Sequence, residues 1–113
     1  MNIENTKAQM RKGVLEFCIL STLQGGEAYP SEIIDQLKEG KLIVVEGTLY
    51  PLLTRLKNAG LLSYRWEESK SGPPRKYYQL TKIGAGFLKE LDQTWEELAR
   101  AVEMTRNTKS DKK

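Results

Sequence analysis

Between Glu46 and Gly60 the chain reads EGTLYPLLTRLKNAG. Its leucines, Leu49, Leu52, Leu53 and Leu56, recur at i, i+3, i+4 and i+7, so they share one face of an α-helix that must be covered. Pro51 restricts where this helix can begin, because a proline deep inside it would clash with the carbonyl four residues back. The helix is therefore expected to start between Glu46 and Thr48, with Thr48 as its cap and Pro51 in or near the first turn, and to end at Asn58-Ala59-Gly60. A short helix with one apolar face needs neighbours, and the flanking sequence supplies them.

Upstream, the pattern from Ala8 to Gln24 is helical, with Met10, Val14, Phe17, Cys18, Leu15, Ile19 and Leu23 forming a wide apolar stripe that ends at Gly25-Gly26. The first seven or so residues are polar and are expected to fray. A second helix is signalled by Tyr29-Pro30-Ser31-Glu32, followed by Ile33, Ile34 and Leu37, and stops near Gly40. Lys41 to Val45 is a β-prone connector.

Downstream, Leu61 to Trp66 and Arg75 to Leu80 read as strands around a turn-rich stretch from Glu67 to Pro74, which makes a β-hairpin with a long basic tip. Thr81 then caps a last helix carrying Ile83, Phe87, Leu88, Leu91, Trp95, Leu98 and Val102 at three-and-four spacing. The residues from Thr105 to Lys113 are charged and poor in apolar side chains, and are expected to be disordered.

At 113 residues the chain suffices for one core. The expected fold is mainly α with a small β-hairpin. Residues 1–80 form a winged helix-turn-helix domain, residues 81–104 a dimerisation helix and residues 105–113 a disordered tail. No apolar run reaches the ~20 residues that span a bilayer, and the N-terminus lacks a signal-peptide pattern, so a cytoplasmic location is expected. The absence of histidine removes the commonest metal ligand and general base together. With no catalytic motif besides, neither an enzyme, a metal site nor a cofactor is expected. Cys18, the single cysteine, lies in an apolar run and reads as a buried small hydrophobe.

Charge is distributed unevenly. From Glu68 to Lys82, Lys70, Arg75, Lys76 and Lys82 oppose only Glu68; from Phe87 to Glu103, Lys89 and Arg100 are outnumbered by Glu90, Asp92, Glu96, Glu97 and Glu103. A basic hairpin beside a polar helix face suits a polyanion. Opposite the leucines, the third helix carries Gly47, Pro51, Thr54 and Asn58, flanked by Thr48, Tyr50, Arg55 and Lys57, a small and hydrogen-bonding surface suited to the major groove of double-stranded DNA. Lys70, Arg75 and Lys76 would then track phosphates or enter the adjacent minor groove. A solvated polar face is the plainer reading of the helix alone, and a winged-helix module that binds another protein is the alternative for the whole surface. Alternation sends Tyr77 and Tyr78 to opposite faces of the wing without saying which one is buried.

The segments EGTLYPLLTRLKNAGLL (Glu46 to Leu62) and GPPRKYYQLTKIG (Gly72 to Gly84), in that order, resemble the PadR family of bacterial transcriptional regulators over about residues 8 to 105. The resemblance implies a homodimeric repressor of the smaller PadR subfamily that binds a palindromic operator and is released by a ligand. It assigns Thr48, Tyr50 and Pro51 to the recognition helix and Arg75, Lys76 and Tyr77 to the wing. Independently, the last helix has more apolar stripe than a core of this size can cover. Exchange of that helix onto the first helix of a second copy would bury Met10, Val14, Phe17, Leu91, Trp95 and Leu98, and set two half-sites about 34 Å apart. A multidrug-responsive branch of the family stacks planar aromatic compounds on a tryptophan at the place of Trp95. That makes Trp95, Met10, Phe17, Leu91 and Ala99 a candidate effector pocket, with plain dimer core as the alternative.

Overall fold

The computed structural model describes residues 1–111, the last four of these, 108–111, by backbone alone. The chain runs α1 (Ile3–Thr22), α2 (Pro30–Glu39), α3 (Glu46–Asn58), β1 (Leu62–Ser69), β2 (Gly72–Leu80) and α4 (Lys82–Asp111). Helices α1 to α3 pack around the root of the β1–β2 hairpin, which gives the winged helix-turn-helix arrangement.

Each helix boundary has a local cause. Helix α1 begins at Ile3, not at Ala8, because the Asn2 side chain accepts a hydrogen bond from the Glu4 N–H at 2.9 Å and so caps residues that composition alone would leave frayed. It ends at Thr22, and Gly26, with φ +143°, then turns the chain in a conformation few other residues adopt. In α2, Pro30 occupies the first turn and Glu32 Oε1 accepts from the Tyr29 N–H at 3.1 Å.

Helix α3 begins at Glu46, within the expected range, but with a different cap. Its cap is Val45, whose carbonyl accepts from the N–H groups of Thr48 and Leu49, both at 3.0 Å, so Thr48 lies within the helix instead of capping it. Pro51 consequently falls in the second turn, where it donates nothing to the carbonyl of Gly47. The cost is limited because the proline is exposed, on the face away from the leucines. At the far end Gly60 takes φ +82°, and Leu61 N–H reaches back to the Leu56 carbonyl at 3.0 Å, closing the helix with a left-handed glycine.

Leu49, Leu53 and Leu56 meet Ile19 and Leu20 of α1, Ile33 and Leu37 of α2, Leu62 and Tyr78 of the hairpin and Leu88 of α4 in one buried cluster that contains no charged side chain. Burying a leucine or isoleucine side chain is worth about 1.5–3 kcal/mol, so this cluster is the chief favourable term in the fold.

The hairpin pairs Leu62 with Leu80, Tyr64 with Tyr78, Trp66 with Lys76 and Glu67 with Arg75, with an irregularity between Glu67 and Ser69. Its tip is therefore Lys70-Ser71 and not the whole stretch from Glu67 to Pro74. Pro73 and Pro74 fall where the ladder is interrupted, so their missing N–H groups cost it little. Tyr78 is the inward tyrosine, 3% exposed, and its backbone exchanges hydrogen bonds with Ala28 at 2.8 and 3.0 Å. Tyr77 occupies the other face.

Thr81 joins the hairpin root to α4. Its hydroxyl donates to the Gly60 carbonyl at 2.6 Å and accepts from the Gly84 N–H at 2.9 Å, capping α4 as the sequence predicts. Helix α4 then continues to Asp111, which corrects the expectation of a disordered tail from residue 105. Local bonds sustain it: Thr105 Oγ1 donates to the Ala101 carbonyl at 2.8 Å, and Arg106 pairs with Glu103 one turn back at 3.2 Å. Residues 112 and 113 of the expected tail lie outside the described residues.

Candidate nucleic-acid interface

The leucine face of α3 turns its opposite face outward as a geometric necessity, and Thr48, Tyr50, Pro51, Thr54 and Arg55 are all exposed there. Arg55 is already engaged. Its Nη1 lies 2.9 Å from Glu16 Oε1 of α1, an ion pair that spans two helices and that the sequence does not announce. Thr48, Tyr50, Pro51 and Thr54 form the free part of this face.

The wing holds its cations on aromatic rings. Tyr64, Trp66 and Lys76 lie on one face of the hairpin because Trp66 and Lys76 are directly paired across the strands. Lys76 Nζ sits 4.4 Å from the Tyr64 ring centre and 5.2 Å from that of Trp66, and the two rings meet edge to face at 6.1 Å. On the other face Arg75 lies 5.0 Å over the ring of Tyr29, which meets Tyr77 edge to face at 5.1 Å, and Tyr77 in turn carries Arg65 at 4.9 Å. Lys70 stands exposed at the tip. A groove of about 440 Å³ separates this wing from the helices, with Tyr50 and Glu46 of α3 on one side and Trp66, Arg75 and Lys76 on the other.

Arg65 fixes the wing to the turn before α2. Its guanidinium bonds Glu27, with Nε 3.0 Å from Oε2, and also Glu67. The Arg65 bond holds the Glu27 carboxyl below its ordinary range, and the two carboxylates push Arg65 further up. Burial raises the Tyr78 hydroxyl, as expected for the inward tyrosine. Tyr29, Arg65 and Trp66 escape a reading of the sequence because the relevant signal is the strand register, which depends on a turn shorter than the composition suggests.

A second surface lies on α1 and α4. Within one chain Phe17 and Trp95 approach to 6.4 Å between ring centres, and Val14, Phe17, Leu91 and Ala99 are half-buried, while Met10, Trp95 and Leu98 are exposed. No group of three or more acidic or cysteine side chains that could hold a metal is present among the described residues. Nor is any helix among them long and apolar enough to cross a membrane.

Residues 19–90, which include α2, α3 and the whole hairpin, match the model of the transcriptional regulator PadR-like family. The chain belongs to the PadR-like family. A PadR-like transcription factor from Bacteroides fragilis is 61% identical, with 89% of this chain and 98% of that one covered, and superposes with a TM-score of 0.77. A PadR family regulator from Eggerthella lenta is 32% identical over 94% of this chain and 93% of its own, with a TM-score of 0.84. Bacillus subtilis PadR, solved in complex with operator DNA, is 28% identical with a TM-score of 0.64; the match covers 69% of this chain and 46% of that protein. The PadR-like chain is thus a transcriptional regulator of winged-helix fold, and not an enzyme.

Proposed function

We propose that this PadR-like chain is a cytoplasmic, homodimeric repressor that binds a palindromic operator in double-stranded DNA. The observation that carries the reading is the exposed polar face of α3 standing across a groove from a wing that lines it with Arg75 and Lys76 and carries Lys70 exposed at its tip. The operator-bound structure of the Bacillus subtilis relative supports the same use of the fold. Thr48, Tyr50, Pro51 and Thr54 approach base edges in the major groove, and the three wing cations contact phosphate. Arg55 must leave Glu16, or share it, to reach DNA.

Residues 1–80 act as the DNA-reading unit and residues 81–104 as the dimerisation helix. From Leu88 the apolar positions Leu91, Trp95, Leu98 and Val102 continue at alternating steps of three and four, and they become bare as the helix leaves the core, from 2% exposure at Leu88 to 54% at Leu98. That spacing is the seam of a two-helix contact. A second copy covers it, and with it Met10, Val14 and Phe17. A planar aromatic effector stacking on Trp95, among Met10, Phe17, Leu91 and Ala99, releases the operator by altering this contact.

The test is binding to a fluorescent duplex carrying the region upstream of the protein's own gene, against a scrambled duplex, at several salt concentrations. Repression of its own gene predicts preferential binding that weakens steeply with salt, by about 0.9 in log–log slope per neutralised phosphate. Tyr50→Ala lowers affinity for the native duplex without dissociating the dimer. Binding that ignores both sequence and salt would favour a protein-interaction module instead.

A further inference from the structure

We infer that Trp66 and Tyr29 are positioning residues that hold Lys76 and Arg75 ready for phosphate as two independent units, one on each face of the wing. The inference rests on the DNA-binding reading and adds to it a division of labour between neighbouring cations.

A lysine on a solvent-exposed strand ordinarily samples many rotamers, and ordering it against a phosphate costs side-chain entropy. Here that freedom is restricted before DNA arrives. Lys76 lies in a notch with two aromatic walls, Tyr64 at 4.4 Å and Trp66 at 5.2 Å, and Lys57 of α3 approaches the same Tyr64 ring at 5.8 Å. Trp66 is 60% exposed, a large cost in bare apolar area for a residue that merely fills the fold. Its ring contacts are to Tyr64, which is half-buried against the core, and to the ammonium of half-buried Lys76, while Trp66 itself stands outside the buried cluster.

Arg75 is organised by different residues. Consecutive positions on a strand point to opposite faces, so although both residues border the groove, the ring that Arg75 stacks on is Tyr29 and the cation that Trp66 carries is Lys76. Arg75 rests on Tyr29, the residue immediately before α2, and through Tyr77 joins the Arg65 cluster with Glu27 and Glu67. One cation is thereby referenced to the face that meets α3, the other to the start of α2. A cation held over a ring does not use up all its N–H donors: those directed away from the ring are free for a phosphate oxygen.

The expected signature is a pattern of coupling. Affinity for a fluorescein-labelled mixed-sequence duplex is measured across salt for the full chain and for Trp66→Ala, Lys76→Ala, Arg75→Ala and the double variants, with thermal melting as a check on folding. Trp66→Ala weakens binding about three- to fivefold, and Trp66→Phe restores most of it. The effect of Trp66→Ala disappears when Lys76→Ala is already present but persists in full beside Arg75→Ala; Tyr29→Phe, which keeps the ring, leaves binding intact, whereas Tyr29→Ala is silent only in the Arg75→Ala background. Each cation variant alone lowers the salt slope by about 0.9. Equal effects of Trp66→Ala in both backgrounds would overturn the assignment, as would a loss explained entirely by a lowered melting temperature. Failure of the unaltered chain to bind the duplex at any salt concentration would instead overturn the DNA reading beneath it.

Discussion

Helices α3 and α4 carry the same apolar spacing and meet opposite fates. Leu49, Leu53 and Leu56 of α3 are covered by four neighbouring elements of the same chain. Beyond Leu91, α4 is covered only in part: Phe17 of α1 lies 6.4 Å from the Trp95 ring, yet Trp95, Leu98 and Val102 remain 42%, 54% and 48% exposed, on a helix that stretches the molecule to 66 Å in its longest dimension. An i, i+3, i+4 pattern therefore specifies that a face must be covered and leaves open whether the chain itself can cover it. That is settled by length, since a helix of 30 residues runs about 45 Å and outreaches a core built from three short helices and a hairpin.

The contrast can be broken at either end. Leu53→Ala opens a cavity inside the single-chain core and is expected to cost about 2–5 kcal/mol in chemical denaturation, lowering the melting temperature at every protein concentration. Leu98→Glu, at the bare seam, should leave the helical circular dichroism intact while weakening self-association by at least about thirtyfold, and operator affinity with it. A variant that unfolded the domain would show Leu98 to be core after all. Gly84→Ala probes the junction between the two regions: a Cβ there would stand 2.0 Å from the Leu61 carbonyl oxygen, closer than any real contact, and forcing the strands and α4 apart is expected to cost about 1–3 kcal/mol.

The smallest effect concerns the wing's attachment. Because the folded-state pKa of Glu27 is depressed by Arg65, its contribution is present above the ordinary value of 4.5 and is lost as pH falls through the lower folded value. Glu27→Gln should remove that part of the acid sensitivity and leave stability near neutral pH only slightly reduced, which melting curves across the acid range will show. Acid profiles that coincide for the two proteins would mean that the pair adds nothing to folding.

The order of elements, the core leucines of α3, the Thr81 cap and the outward polar face of α3 could be read from the sequence because each is set by residues within a turn or two of one another. What could not be read depends on a single local cap or on long-range register. Asn2 extends α1 by five residues over a polar stretch that composition marks as frayed. The hairpin tip shrinks to Lys70-Ser71 because two prolines are tolerated where the ladder is interrupted. The Arg55–Glu16 pair joins residues 39 positions apart, and the aromatic seats of Arg75 and Lys76 follow from a register that only the folded hairpin fixes. The charged end of α4 looked too polar to fold, yet pairs such as Glu103 with Arg106 support helix without any core.

Sedimentation equilibrium across a range of concentrations tests most directly whether a second copy covers the bare face of α4. The account predicts a mass of twice 12.9 kDa for the full chain, and a shift toward 12.9 kDa in Leu98→Glu. A full chain that stayed at 12.9 kDa at every concentration, with Trp95 and Leu98 left in water, would contradict it.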